Sequence, residues 1–395
     1  MRTIPLSVPN LDPYNTGEII ENLKICVETG WVSTGGGFIS SFEESLAEYI
    51  GAKGAAGCQS GTSGLHVALR VLGVKPGDEV IVPTLTFIAA VNPVIYQGAA
   101  PVLMDCDADF CLDPDKLERF FDTECVLSDG VLRNKATGAR ISAVVVVHIF
   151  GNMADMERIM SITGKYNIKV LEDATEALGC FVKSGRYAGK HAGTIGDMGV
   201  FSFNANKLIT TGGGGMITAK SKAMLEKARY LTTTAKDDSL FFIHNEVGYN
   251  YRMLNIQAAL GVSQIKLLDD FIAIKKRNFE LYKKYLSEMS IKGLKPLPFS
   301  QNTHSNHWFY SFEVDKKSLG MSRNELMHSL IEQGIQSRPV WRLCHKQKPY
   351  RNAQAYQIKQ ANHYEKTVIN LPCSTNLTED DVLYVCKSIE RLSGL

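Results

Sequence analysis

Ile141-Ser-Ala-Val-Val-Val-Val147-His148-Ile-Phe150 is the most apolar run in the chain. At about ten residues it is half a membrane span and the right size for a buried strand. From Ala143 to Val147 it shows no polar alternation. A strand with one wet face alternates. A near-continuous β-branched run is what a parallel strand covered on both faces looks like. Around it the chain alternates short β-rich runs with helical patterns. Strands are expected at Ala55–Cys58, Glu79–Val82, Val102–Met104, Ala143–His148, Lys169–Glu172, Gly199–Phe203 and Met216–Ala219. Amphipathic stretches at Leu65–Leu72, Ile88–Tyr96 and Met153–Tyr166 separate them. Strands spaced by helices in this way predict an α/β doubly wound sheet.

Further on the pattern changes. Leu254 to Glu288 reads as one long helix without internal Pro, ending before Gly293-Leu-Lys-Pro296. Trp308–Val314 reads as a strand. Ser322–Gln333 and Thr378–Leu392 read as helices, each opened by a hydroxyl N-cap and an acid in the first turn. These features predict a large α/β domain over 1–265 and a smaller C-terminal α+β domain over 266–395.

Composition narrows the class. The chain has 395 residues, 45% hydrophobic and 21% charged, and a formal net charge of +2. That excludes a disordered or collagen-like chain and argues against a dedicated nucleic-acid binder, which carries a basic face. The nine Cys are scattered and form no CxxC pair, so no metal site is expected and free thiols in a reducing compartment are. The N-terminus lacks the apolar core of a signal peptide. These readings together predict a cytoplasmic protein without a membrane span.

Three segments carry candidate chemistry. Gln59-Ser60-Gly61-Thr62-Ser63-Gly64 follows a strand and opens a helix. Free first-turn N–H groups and the helix dipole make such a turn a phosphate cradle, although a plain strand-to-helix turn reads the same way. It matches neither GxGxxG nor a Walker loop. Glu172-Asp173-Ala-Thr-Glu176 sits where a buried strand ends, which is where ligands bind in an open α/β sheet. A carboxylate there needs a cation or a protonated ring nitrogen. Asp173 could equally cap a helix, and Glu176 could be a solvated first-turn acid. The third segment runs from Ser202 through Lys207 to Gly212-Gly-Gly-Gly215. Lys207 has no acid near it in sequence. The glycine run should let backbone approach a flat ligand. A phosphate cradle, an acid for a pyridine nitrogen and a Schiff-base lysine are the three demands of pyridoxal 5′-phosphate.

With these motifs in view, the sequence resembles the DegT/DnrJ/EryC1/StrS sugar aminotransferases, within the fold-type I (aspartate aminotransferase-like) enzymes. The likeness runs through Gly30-Trp-Val-Ser-Thr-Gly35, Phe42-Glu43, Ser60–His66, Gly77–Phe87, His148–Gly151, Glu172–Gly179, Phe201–Lys207 and Gly248–Met253. It implies that Lys207 bonds the cofactor and shuttles protons, and that Asp173 pairs with the pyridine nitrogen. Phe87 would stack on the ring; Thr62, Ser63 and Ser202 would hold the phosphate. Asn250 would reach the phosphate of the neighbouring subunit, in a homodimer with shared active sites. Arg252 near that loop receives no role. Glu176 stands where many members carry Gln, beside the cofactor's phenolic oxygen. A carboxylate there repels a phenolate, so it is expected protonated or turned away.

The glycine run and the Asn204-Ala-Asn-Lys207 turn resemble the branch acting on UDP-linked 4-keto-6-deoxy-N-acetylhexosamines, which serves bacillosamine and legionaminic acid pathways. Trp341 and His345 lie in a stretch rich in cations that suits a nucleotide diphosphate, or an ordinary basic surface loop. The implied reaction converts a nucleotide-linked 4-keto sugar to the 4-amino sugar, with L-glutamate as donor. A 3-keto sugar aminotransferase, a dehydratase of the same fold and a non-catalytic cofactor-binding regulator are its rivals. The dehydratase would need Lys207 replaced.

Overall fold

The computed structural model describes residues 2–11 and 16–394. Seven early strands, β1 (Ala55–Cys58), β2 (Glu79–Pro83), β3 (Ala100–Met104), β4 (Ile141–Val147), β5 (Lys169–Asp173), β6 (Met198–Ser202) and β7 (Gly215–Ala219), belong to one large sheet. A second, four-stranded sheet is built by β8 (Leu294–Pro296), β9 (Tyr310–Val314), β10 (Arg338–Pro339) and β12 (Val368–Leu371), in the order β8-β9-β12-β10. Between β10 and β12 the chain returns as β11 (Ala355–Tyr356) to pair in parallel with β3. The large sheet therefore has eight strands, in the order β1-β7-β6-β5-β4-β2-β3-β11. Its middle is parallel; β7 alone runs against its neighbours β1 and β6.

The valine run behaves as its composition demands. Val145 and Val147 belong to one apolar cluster and Val144 and Val146 to the other, on opposite faces of the sheet. Each fully buried Val contributes about 1.5–3 kcal/mol. Neither face is left to water, which is why the run needs no polar alternation. The first cluster continues without a break into the second sheet through Tyr310 and Phe312.

Each expected strand forms within two residues of its predicted ends. The helices differ more. Ile88–Tyr96 is not one helix: a 3-10 turn at Ile88–Ala90 gives way to a short helix at Asn92–Tyr96. Pro93 is the reason, since its ring fixes a first-turn position and lacks the N–H that a continuing helix needs. Leu254–Glu288 is also divided, into Asn255–Gln264, a 3-10 turn at Ile265–Leu267 and Leu268–Glu288. The division falls where the buried side chain of Gln264 reaches sideways, giving its amide hydrogen to Asn10 O (2.7 Å) and accepting the Thr210 N–H (3.2 Å). Among the described residues no helix is long and apolar enough to cross a membrane, and no cluster of His, Cys, Asp and Glu is arranged to hold a metal. The cysteines are all free and buried.

Helix Asn255–Gln264 packs on helix Gly37–Ile50 through Gly261. A β-carbon there would lie 2.5 Å from Phe42 Cε1. Phe42 is fully buried and its ring is held 4.9 Å from that of Phe203. Alanine favours a helix over glycine by about 1 kcal/mol, but overpacking a fixed ring costs about 1–3 kcal/mol. Gly261→Ala is therefore expected to lower the midpoint of chemical denaturation. An unchanged or raised midpoint would mean that Phe42 can yield.

Candidate active site

The candidate residues converge at the C-terminal edge of the parallel strands. β1 ends at a turn that opens the helix Gly61–Val71. Ser60 caps this helix. Its Oγ accepts the Ser63 N–H (3.1 Å), while Ser63 Oγ accepts the Ser60 N–H (3.0 Å) and donates to Ser60 O (2.8 Å). The Ser63 hydroxyl closes the cap, and Ser63 is not among the residues that line the cavity. Ser60, Gly61 and Thr62 do line it. First-turn N–H groups have no acceptor within their own helix, so those of Gly61 and Thr62 are open to an anion.

The four glycines work differently from expectation. None of them lines the cavity. Gly215 instead backs onto the turn from behind: a β-carbon there would lie 2.7 Å from Ser60 C and 2.8 Å from Gly61 N. Gly214 donates its N–H to Gln59 O (2.8 Å). Gly214 and Gly215 let β7 press against the turn after β1.

At the end of β5, successive residues point to opposite faces. Glu172, fully buried, turns away from the cavity. Its Oε2 faces His148 Nε2 (2.9 Å) and accepts the Gly193 N–H (2.9 Å), and its Oε1 accepts the N–H groups of Ile195 and Gly196 (2.6 Å each). Asp173 turns into the cavity, where its Oδ1 accepts the Thr175 N–H (3.1 Å). No helix follows; residues 174–180 form turns. Burial pushes the Asp173 carboxyl up, and its bonds to Thr175 pull it back. Glu176 is 5% exposed rather than solvated. Its Oε2 accepts the Phe150 N–H (2.9 Å), and burial pushes it up to about 7.

β6 ends at Ser202, and a turn closed by Lys207 N–H to Asn204 O (2.9 Å) follows. The Lys207 side chain is 14% exposed. Its Nζ lies 3.8 Å from Glu176 Oε1 and 4.1 Å from the centre of the Trp308 ring. The fold has supplied the acid partner missing from the local sequence. Burial pulls Lys207 below its ordinary value, opposed by Glu176 and Asp173.

Trp308 was not singled out in the sequence. It donates its indole N–H to Asn206 O (2.9 Å), and its own carbonyl accepts from Lys275 Nζ (2.8 Å). Lys275 is 2% exposed and also donates to Cys373 O (2.6 Å). Two carbonyls and no carboxylate hold this ammonium, and burial pulls its pKa down. A signal existed: Lys275 lies four residues after Phe271 and four before Phe279, on the apolar stripe of its helix.

Lys207, Asp173, Glu176, Ser202, Thr62, Phe87 and Trp341 line one cavity of about 370 Å³. Phe87 stands at its mouth, 54% exposed, 6.4 Å from the ring of Trp341, which stacks on Phe150 (4.6 Å). His345 does not reach the cavity. Its Nδ1 lies 2.8 Å from Thr84 Oγ1, bracing the loop after β2. Asn250 is exposed and also lies outside the cavity of its own chain. Arg252 pairs with the buried Glu43 (2.6 Å), which also accepts the Gly57 N–H (2.7 Å). A larger cleft, of about 870 Å³, runs along Asp107, Asp113 and Asp155. Its acidic wall repels phosphate, and its Lys116 is paired with Asp105 and Asp113.

The model of the DegT/DnrJ/EryC1/StrS aminotransferase family matches residues 13–390. The chain belongs to that family. It is 36% identical over 390 residues to GDP-perosamine synthase of Caulobacter vibrioides, covering 98% of both chains. Among solved structures, DesI in the presence of its TDP-sugar product is similar at a TM-score of 0.87 and 25% identity, over 100% of this chain and 93% of that one. Spr1654 of Streptococcus pneumoniae in its PLP form is similar at 0.85 and 25%, over 100% and 98%. The cofactor of this aminotransferase is pyridoxal 5′-phosphate.

The cavity fits that group. A β-carbon on Gly61 would lie 2.9 Å from Thr175 Cγ2 and 3.1 Å from Ser202 Cβ, so the cradle closes around a position that only glycine fills. Gly61→Ala must push the turn back from Ser202. It is expected to weaken cofactor binding by about tenfold, or 1.4 kcal/mol, in a fluorescence titration of the apoenzyme. Unchanged affinity would place the phosphate elsewhere.

Proposed function

We propose that this aminotransferase moves an amino group from L-glutamate to the ketone of a nucleotide-linked 4-keto-6-deoxy sugar, giving the 4-amino sugar. A UDP-linked 2-acetamido-4-keto-6-deoxyhexose is the first candidate. The carrying observation is that Lys207 and Asp173, 34 positions apart in sequence, line one cavity with the Gly61–Thr62 turn. The likeness to a GDP-perosamine synthase and to DesI with a TDP-sugar supports a nucleotide sugar as acceptor. The first of these favours a second reading, in which the nucleotide is GDP.

Bound pyridoxal phosphate supplies an aldehyde that exchanges amino groups and a ring that takes up electron density. The chain does the rest. The Gly61 and Thr62 N–H groups and the hydroxyls of Thr62 and Ser202 bind phosphate. Asp173 holds a proton at the ring nitrogen, which keeps the ring an electron acceptor. Phe87 covers one face of the ring. Lys207 is the only lysine lining the cavity among the described residues, so its Nζ is the amine that would bond the aldehyde. It would take a proton from the donor's carbon in the first half-reaction and, in the second, deliver one to the sugar carbon from the same side. Trp341, over Phe150, bounds the entrance where the sugar nucleotide would lie.

We further read residues 1–265 as the cofactor-binding domain and 266–395 as the smaller one, in a homodimer. Leu240, Phe241 and Phe242 are each more than 70% exposed in the single chain. An apolar run of that kind suits an interface, and it stands beside the segment that carries Asn250, the residue we assign to the partner's phosphate.

The test is to supply UDP-, GDP- and dTDP-linked 4-keto sugars with L-glutamate and to identify the product by NMR. A 4-amino sugar supports the proposal; amination at C3, or none, overturns it. Lys207→Ala is expected to abolish turnover with an unchanged circular dichroism spectrum. Asp173→Asn is expected to lower kcat about a hundredfold, the scale of a lost proton-holding group, with cofactor occupancy nearly unchanged. Near-normal activity in either variant would remove that residue from its role.

A further inference from the structure

The floor of the cavity holds two carboxyl groups, Asp173 and Glu176, and one amine, Lys207. Glu176 is fixed in place. Its Oε2 accepts the Phe150 N–H at 2.9 Å, from a backbone held in the left-handed region (φ 58°). Its own carbonyl accepts from Asn306 Nδ2 (2.9 Å). This leaves Oε1 facing Lys207 Nζ at 3.8 Å. The other charged or titratable groups near it are few. Asp173 faces it from the end of β5 and Lys207 from the turn after β6. The segment 149–151 offers only a backbone N–H. His148 is turned away toward Glu172 (2.9 Å), and the 306–308 segment presents an amide and the Trp308 ring.

A shuttle lysine must hold a proton for part of each cycle. In a site this dry, a lone ammonium is strongly disfavoured. The Trp308 face compensates it in part. Asp173 is committed to the ring nitrogen in the reading above, on which this inference rests. One carboxyl remains.

We propose that Glu176 is the counter-ion that lets Lys207 carry the proton in transit. The C–H bond of the donor breaks and leaves its electron pair on the carbon side, while the proton forms an N–H bond on Nζ. That N–H bond then breaks as the proton passes to the carbon that was the cofactor's aldehyde; in the second half-reaction Nζ would take a proton from that carbon and release it to the sugar carbon. Glu176 is ionised while Lys207 carries the proton and makes no bond to substrate. It acts through Lys207 and is a positioning residue. Burial pushes its carboxyl up to about 7 while the Lys207 ammonium pulls it down, so its ionisation is coupled to the proton on Lys207.

The Gln variant isolates the charge, because its amide oxygen can still accept the Phe150 N–H. In the apoenzyme, the rate of Lys207 acetylation is measured against pH by peptide mass spectrometry. Removing a negative charge 3.8 Å away disfavours the ammonium, so in Glu176→Gln the midpoint is expected to fall by one pH unit or more. In the loaded enzyme, kcat is expected to fall at least tenfold, with KM for L-glutamate and cofactor content within twofold of the wild type. A Lys207 midpoint that does not move, or moves upward, overturns the proposal. So does an unchanged kcat. Failure of the underlying reading shows separately, as turnover surviving in Lys207→Ala.

Discussion

A primary amine does chemistry in a dry cavity only if its charge is compensated, and the organisation of this active site follows from how that is done for Lys207. Water is largely excluded from its side chain, which favours the free base needed to bond an aldehyde or take a proton from carbon. Glu176 at 3.8 Å and the Trp308 face at 4.1 Å oppose that tendency. The balance leaves an amine that can both lose and hold a proton. A solvated lysine would remain ammonium at neutral pH.

Holding that balance requires that nothing around the amine drift. The Trp308 ring is tied at both ends of its residue, by its indole N–H to Asn206 and by its carbonyl to the buried ammonium of Lys275. Lys275 belongs to the long helix Leu268–Glu288 and also grips Cys373, so the C-terminal part of the chain sets the wall against which Lys207 lies. On the other side, Glu172 binds three backbone N–H groups of the 193–196 loop below the same strand end that aims Asp173 into the cavity. The two neighbouring acids are scaffold and site by alternation alone.

Much of this was legible in the order of residues. The valine run predicts a strand covered on both faces, and the seven strands fall where their β-rich segments stand. The turn after β1, Asp173 and Lys207, which line one cavity, could be singled out because a strand end in an α/β sheet is where ligands bind. What could not be read is what depends on distant chain segments meeting. Lys207 has no acid nearby in sequence, and Glu176 becomes its partner only when β5 and β6 lie side by side. The cap that ties the Ser63 hydroxyl to Ser60 is likewise a matter of local geometry that the residue order does not show. The four glycines matched a ligand approach, yet none of them lines the cavity; Gly214 and Gly215 instead meet the Gln59–Gly61 turn. His345 stands near Trp341 in sequence but turns toward Thr84.

The central claim is that the amine of Lys207 lies within bonding reach of the cofactor aldehyde while Asp173 grips the far side of its ring. Borohydride reduction of the cofactor-loaded enzyme, followed by proteolysis and mass spectrometry, tests its first half directly. The account predicts a single peptide carrying the reduced cofactor, with Lys207 as the modified residue. Attachment at any other lysine, or no covalent attachment at all, would contradict it.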